Sequence, residues 1–366
     1  MFYNFYCRDK NKITTSERSK FFIKDFLYPF IKFLLNSMDN YTDKKVKNQQ
    51  LKNDILEKCT GKKLKNPKFS NYIEPFVSKK MMELITGCGN LLAFLSDFEM
   101  ENKKLYKGSF CKNRFCPMCS WRMPCKDSMK ISILMEHLRK EENKEFIFLT
   151  LTAPNVEGDK LSDEINKYNN SFKRLMERKE VKNIAKGYIR KLEVTYNSDV
   201  SSTSYNTYHP HFHVVIAVNK TYFTDTKQYL NQQRWLELWQ ESTGDGSITQ
   251  VDVRKIKANN LKEVYELAKY SAKDSDYLIS KSVFAFFYKA LKGKRLVVYG
   301  GLFKDANVMY ENGELDCYKV KDNIEYVYMM CYLWAKNEYE NSNIRELTDE
   351  EKEKVNKRLI DIIEID

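Results

Sequence analysis

The sequence predicts an α+β chain: a basic, mainly helical start, a small cysteine-rich module, a domain of strands and helices, and a helical end. Three observations carry that expectation. From about residue 145, apolar β-branched runs alternate with amphipathic helical stretches. Three of the nine cysteines crowd into residues 111–119, and three of the four histidines into 209–213. Both clusters look like metal-ligand sets set into a fold with real cores, since 42% of the residues are hydrophobic.

In chain order, residues 1–84 form the basic N-terminal region and 85–144 the cysteine-rich, zinc-binding module. Residues 145–300 hold the strand-and-helix domain and 301–366 an acidic C-terminal region. Residues 1–70 carry 16 Lys/Arg against 7 Asp/Glu, whereas 301–366 carry 9 against 16. A basic front on a chain of net charge +12 points to a polyanionic partner, with nucleic acid first. The start MFYNFYCRDKNK lacks a secretory pattern, and the apolar run Phe21 to Leu35 is broken by Lys24, Asp25, Pro29 and Lys32. A cytoplasmic protein with no membrane partner is expected, and in a reducing compartment clustered cysteines suggest metal rather than disulfides.

In FCKNRFCPMCSWR, Cys111, Cys116 and Cys119 are spaced C-x4-C-x2-C, and the Cys-Pro-Met-Cys turn suits a zinc knuckle. Cys88, flanked by Gly87 and Gly89, is the preferred fourth Zn²⁺ ligand, with Cys125 and His137 as competitors. Arg114, Phe115, Trp121 and Arg122 add the basic and aromatic character of a DNA-binding module, although aromatics beside a small metal site also serve as its core.

Strands are expected at 146–152, 188–196, 211–218 and 248–253, with helices at 161–180, about 225–241 and from about 260. The strand opening HPHFHVVIAV orients His209, His211 and His213 to one face, because side chains alternate along a strand. Three imidazoles on one face are costly to bury unless something engages their nitrogens, and a divalent metal does so. On the helix LKEVYELAKYSAKDSDYL, Leu261, Val264, Tyr265, Ala268 and Ala272 form the core stripe. Tyr270 lies opposite, with Glu266 four residues before it and Lys273 three after. A tyrosine beside a carboxylate and an ammonium is a candidate nucleophile; an ordinary surface helix with a Glu–Lys pair is the competing reading. Tyr277 shares that side if the helix reaches it.

Together FLTLTAPN, HPHFHVVIAV and ELAKYSAKDSDYL resemble the three ordered motifs of plasmid rolling-circle replication initiators of the HUH endonuclease superfamily. CKNRFCPMCSWR is similar to that family's cysteine-rich segment. The resemblance spans about Cys88 to Tyr277 and implies an HUH-endonuclease domain with a central antiparallel sheet and flanking helices. It implies Mg²⁺ or Mn²⁺ on His211 and His213, with Glu193 as third ligand and His209 as its substitute. It implies Tyr270 as nucleophile, Glu266 as activator of water at termination and Lys273 as a cation at the scissile phosphate. Arg114, Trp121, Arg122 and Lys269 are the candidate DNA contacts. The implied reaction is origin-specific nicking through a 5′-phosphotyrosyl link that leaves a 3′-OH. The expected partners are plasmid origin DNA, single-stranded or extruded as a hairpin, and a host helicase and polymerase. Two alternatives stand beside it: another HUH enzyme, relaxase or transposase, or a non-enzymatic zinc-containing DNA-binding protein. Relaxases carry their tyrosine ahead of the histidines, unlike this chain.

Overall fold

The structure is a computed structural model describing residues 54–257, 262–268, 271–319 and 323–356. Leu261, Lys269 and Tyr270, to which the sequence gives roles, lie outside these residues, as do the side chains of Cys125 and Tyr265. The described chain forms nine strands: β1 (Leu91–Ser96), β2 (Lys103–Gly108), β3 (Lys144–Leu151), β4 (Gly187–Asn197), β5 (Thr207–Asn219), β6 (Val251–Lys255), β7 (Val297–Gly301), β8 (Tyr328–Ala335) and β9 (Glu338–Glu346). They make two antiparallel sheets. Contacts group the chain into two compact units built from interleaved segments. Among the described residues, one holds 54–60, 90–108, 313–319 and 323–356; the other holds 61–89, 109–257, 262–268 and 271–312.

The larger unit holds a five-stranded sheet in the order β6-β3-β5-β4-β7. Central β5 is the longest strand and pairs with the whole of β4, from Asn197 opposite Thr207 to Gly187 opposite Ala217. Its apolar run Val214 to Val218 is buried on both faces, which is why it reads as continuous rather than alternating. The face of Tyr208 and Phe212 is covered by two helices, Leu161–Glu177 and Lys281–Leu291. In the first, Leu161, Ile165, Tyr168, Phe172 and Leu175 recur every three or four residues and are all buried. Phe172 meets Phe212 edge-on at 5.8 Å, and Phe287 meets Tyr208 at 5.3 Å. The second helix is capped by Ser280, whose hydroxyl accepts the Val283 amide.

Two glycines let β7 dock on β4. Gly301 has φ +54°, and a Cβ there would stand 2.4 Å from the Lys186 carbonyl oxygen. Gly187, its partner in register, would place a Cβ 2.8 Å from the Leu302 nitrogen.

The smaller unit holds a four-stranded sheet, order β2-β1-β8-β9, in which Leu91 pairs with Leu333. Ala93, Leu95, Tyr326, Met329, Leu347 and Val355 form its core on one face. The C-terminal region, expected to be helical, has the helices Leu302–Glu311 and Asp349–Asn356 among its described residues but also contributes β8 and β9 between them. Residues 54–86 are helical, in three short helices. Among the described residues no helix is long and apolar enough to cross a membrane.

Candidate metal centres and their surroundings

The first candidate site lies on the odd-numbered face of β5. The register sets Glu193 of β4 directly opposite His211, so their side chains share a face. Glu193 Oε2 lies 2.9 Å from His213 Nε2 and 3.3 Å from His211 Nε2. One ligand atom from each of the three falls within 4.8 Å of the others, a set that could hold one metal ion. Burial pushes the Glu193 carboxyl up, but hydrogen bonds from His211 and His213 outweigh it and hold the group well below the usual range. An ionised carboxylate between two imidazoles is a donor set suited to a divalent cation. His209 stacks on His211 with ring centroids 5.2 Å apart and lies outside this group.

Thr150, opposite His213 on β3, is a site residue that sequence reasoning passed over within FLTLT. Its Oγ1 lies 3.4 Å from His213 Nδ1, so the ring is held on one nitrogen while the other faces Glu193. Phe148 stacks on the same imidazole at 5.6 Å. Lys191, opposite His213 on the other side, is also new. Burial pulls its ammonium down to about 8 against the attraction of Asp127 and Glu193. Lys191 and Asp127 line a cavity of about 420 Å³ together with Arg114, Ser271, Lys294 and Arg295.

The expected single helix after residue 260 is two. One covers Lys262–Ala268, with Val264, Leu267 and Ala268 buried, and a second covers Asp274–Tyr277. Glu266 is half-buried on the first. Lys273 has φ −78° and ψ 144°, an extended backbone, so it has no helical i,i+3 relation to the preceding turn. The cause is tertiary: the Ser271 carbonyl accepts the Val194 amide at 2.8 Å, and Asp276 accepts the Tyr196 amide at 3.4 Å. These bonds draw the segment onto β4 beside Glu193. Tyr277 is 1% exposed and its hydroxyl donates to the Phe115 carbonyl, so it is a core residue and not an accessible nucleophile.

The second candidate site gathers Cys88, Cys111, Cys116 and Cys119, all buried and all free thiols. Their Sγ atoms lie 3.5 Å (Cys88–Cys116), 3.6 Å (Cys88–Cys119) and 3.7 Å (Cys111–Cys119) apart. A tetrahedral zinc tetrathiolate with Zn–S near 2.3 Å has edges of about 3.8 Å, so the four sulfurs fit such an ion. Hydrogen bonds from Cys111, Cys116 and Cys88 hold the Cys119 thiol far below its ordinary value, and the same network pushes Cys116 up. Lys63, buried beside them, donates to the Cys88 carbonyl at 2.7 Å. His137 sits in the last turn of the Pro117–Lys140 helix and is not a member of the group.

Two of the expected DNA contacts are corrected. Trp121 and Arg122 are 7% and 8% exposed, and the Arg122 guanidinium lies 3.5 Å from the Phe110 ring centroid. Both side chains are therefore interior and not offered to DNA. Arg114 is exposed and donates to the Leu291 and Lys294 carbonyls at the cavity rim.

Comparison with known proteins adds an independent finding. A family model described as "Replication protein" matches residues 102–343. A protein from Staphylococcus aureus named "Protein rep" is 52% identical over 227 residues, which is 62% of this chain and 97% of that protein. Another "Protein rep", from Streptococcus pneumoniae serotype 2, is 36% identical over 72% of this chain and 84% of its own length. A third, from Lentilactobacillus hilgardii, is 30% identical over 77% of this chain and 92% of its own length. No solved structure matches the chain.

Proposed function

Because the chain belongs to the replication-protein family, a plasmid Rep family, we propose that it initiates rolling-circle replication by metal-dependent nicking of one strand of its origin. The observation that carries this reading is the Glu193–His211–His213 group on adjacent strands, within reach of one ion. His211 and His213 would hold Mg²⁺ or Mn²⁺ with Glu193, and His209 lies one stacked ring away. Such an ion, when bound, draws charge from the phosphate oxygens and so stabilises a pentavalent transition state.

The chain's own groups do the rest. Tyr270 attacks phosphorus through its phenolic oxygen, the bond to O3′ breaks, and the phenolic proton leaves to a base as O3′ gains one. The products are a 5′-phosphotyrosyl link and a 3′-OH that a host polymerase can extend. Ser271, next in the chain, is bonded to β4 one residue from Glu193, which supports Tyr270 in this role. Glu266 takes a proton from water at termination, and Lys273, exposed, supplies a cation near the phosphate. Arg114, Lys191, Lys294 and Arg295 around the adjoining cavity, with Lys269, add positive charge for the strand's phosphates. The four-cysteine group is read as a Zn²⁺ site.

The test uses the full chain, a single-stranded oligonucleotide from its own plasmid's origin, and Mn²⁺. A denaturant-resistant protein–DNA adduct is expected, and it should vanish in Tyr270→Phe and His211→Ala. Survival of the adduct in Tyr270→Phe would move the nucleophile to Tyr265. Binding of the origin strand with no cleavage by wild type would overturn the reading in favour of a zinc-containing DNA-binding protein.

A further inference from the structure

Residues 271–277 bond to residues that neighbour both candidate metal centres. Toward the histidine site, Ser271 and Asp276 accept the amides of Val194 and Tyr196, on either side of Thr195 and just beyond Glu193. Toward the cysteine site there are two ties. The Tyr277 hydroxyl donates at 2.9 Å to the carbonyl of Phe115, which lies in the loop between Cys111 and Cys116. The Phe115 and Tyr277 rings meet edge-on at 5.6 Å and 89°. The Asp274 carboxylate takes Lys62 at 3.0 Å and Lys65 at 3.1 Å. Between those two lysines, Lys63 donates to the carbonyls of Cys88 and Thr86. The first tie ends on the Phe115 carbonyl beside Cys116, and the second on lysines that flank Lys63, whose ammonium holds the Cys88 carbonyl.

We infer that residues 271–277 are a strap through which the cysteine centre sets the position of the nucleophilic segment. It deepens the reading above and rests on it for the chemistry. An ion on the four thiolates fixes Cys88 and the 111–116 loop. These fix Asp274 and Tyr277, and the short strap transmits that placement to the residue preceding Ser271. Tyr277, Asp274, Lys62 and Lys65 are positioning residues and touch no reacting atom. In-line attack tolerates little displacement, so slackening the strap costs rate rather than binding.

The experiment has two independent arms on the full chain. In the first, amide hydrogen exchange is followed across 271–277 and, as an internal reference, across 209–218. Wild type with Zn²⁺ is compared with chelator-stripped protein, stripped protein given back Zn²⁺, Tyr277→Phe and Asp274→Asn. Exchange in 271–277 should accelerate on stripping and in both variants, and Zn²⁺ should restore protection, with 209–218 unchanged. In the second, adduct formation is measured at saturating oligonucleotide and Mn²⁺. The rate should fall roughly tenfold to a hundredfold in both variants, while Mn²⁺ and oligonucleotide affinities stay within about twofold. Tyr277→Phe keeps the packed ring and Asp274→Asn keeps the side-chain shape, so a folded protein is expected in each case.

Unchanged exchange in 271–277 on stripping and in both variants would overturn the strap. Faster exchange with an unchanged rate would overturn its positioning role. If wild type forms no adduct, the nicking reading fails, and the exchange arm still decides whether the strap exists.

Discussion

Thr150→Val tests how the histidine centre is oriented. The substitution keeps the side chain's shape and its place in β3 but removes the hydroxyl 3.4 Å from His213 Nδ1. A neutral imidazole that offers Nε2 to a metal carries its proton on Nδ1, and in β3 that proton's acceptor is Thr150. Losing the acceptor of a buried donor costs about 1–3 kcal/mol. The contact is long for a hydrogen bond, which puts the cost near the lower end, about 1 kcal/mol. At 1.4 kcal/mol per factor of ten, Mn²⁺ should bind roughly fivefold more weakly. Calorimetric Mn²⁺ titration of wild type, Thr150→Val and Thr150→Ser reads this directly. Thr150→Ser, which keeps the oxygen, should stay within about twofold of wild type. Equal affinities for wild type and Thr150→Val would refute the orienting role of the hydroxyl.

Two further outcomes follow from the packing and the charges. Gly301→Ala forces a Cβ against the Lys186 carbonyl at a positive φ, so denaturant unfolding should show a loss on the order of 2–4 kcal/mol. Unchanged stability would mean that β7 shifts freely along β4. Burial pushes the Asp274 carboxyl up, but Lys62 and Lys65 outweigh it and hold the group below its ordinary 3.8. A depressed carboxylate stabilises the fold fully above its unfolded value and loses that contribution as pH falls through its folded one. The stability gap between wild type and Asp274→Asn should thus be constant near neutrality and shrink below about pH 4. A gap that widens on acidification would contradict the ion pairs.

What the sequence made legible follows the range of the interactions. The histidines of β5 were readable because a period of two needs only neighbours, and Cys111, Cys116 and Cys119 because their spacing is local. Glu193 opposite His211 depends on a strand register that no local pattern records, and it entered through family resemblance. The sheet of β1, β2, β8 and β9 stayed hidden. LLAFLS is six residues beside a cysteine cluster, and β9, EYENSNIRE, is a mostly exposed edge strand with no apolar alternation. The apolar spacing through Ala272 promised one helix, but a spacing pattern cannot show the Val194 and Tyr196 amides that pull 271–276 out of it. Trp121 and Arg122 misled for a related reason: composition suggested a nucleic-acid surface, while both are buried, Arg122 over the Phe110 ring.

The pairing of β1 with β8 has a consequence for biosynthesis. Leu91 meets Leu333, so when β1 leaves the ribosome its neighbour is 242 residues away. At translation rates of 5–20 residues per second, that is a wait on the order of ten to fifty seconds. Through that interval β1 has only the β2 hairpin, which is marginal alone, and its other edge of unpaired amides and carbonyls faces solvent. The larger unit, whose last strand ends at Gly301, has all its sheet residues translated before β8 begins. Both candidate metal centres can therefore take shape on a nascent chain whose other sheet is still half unmade.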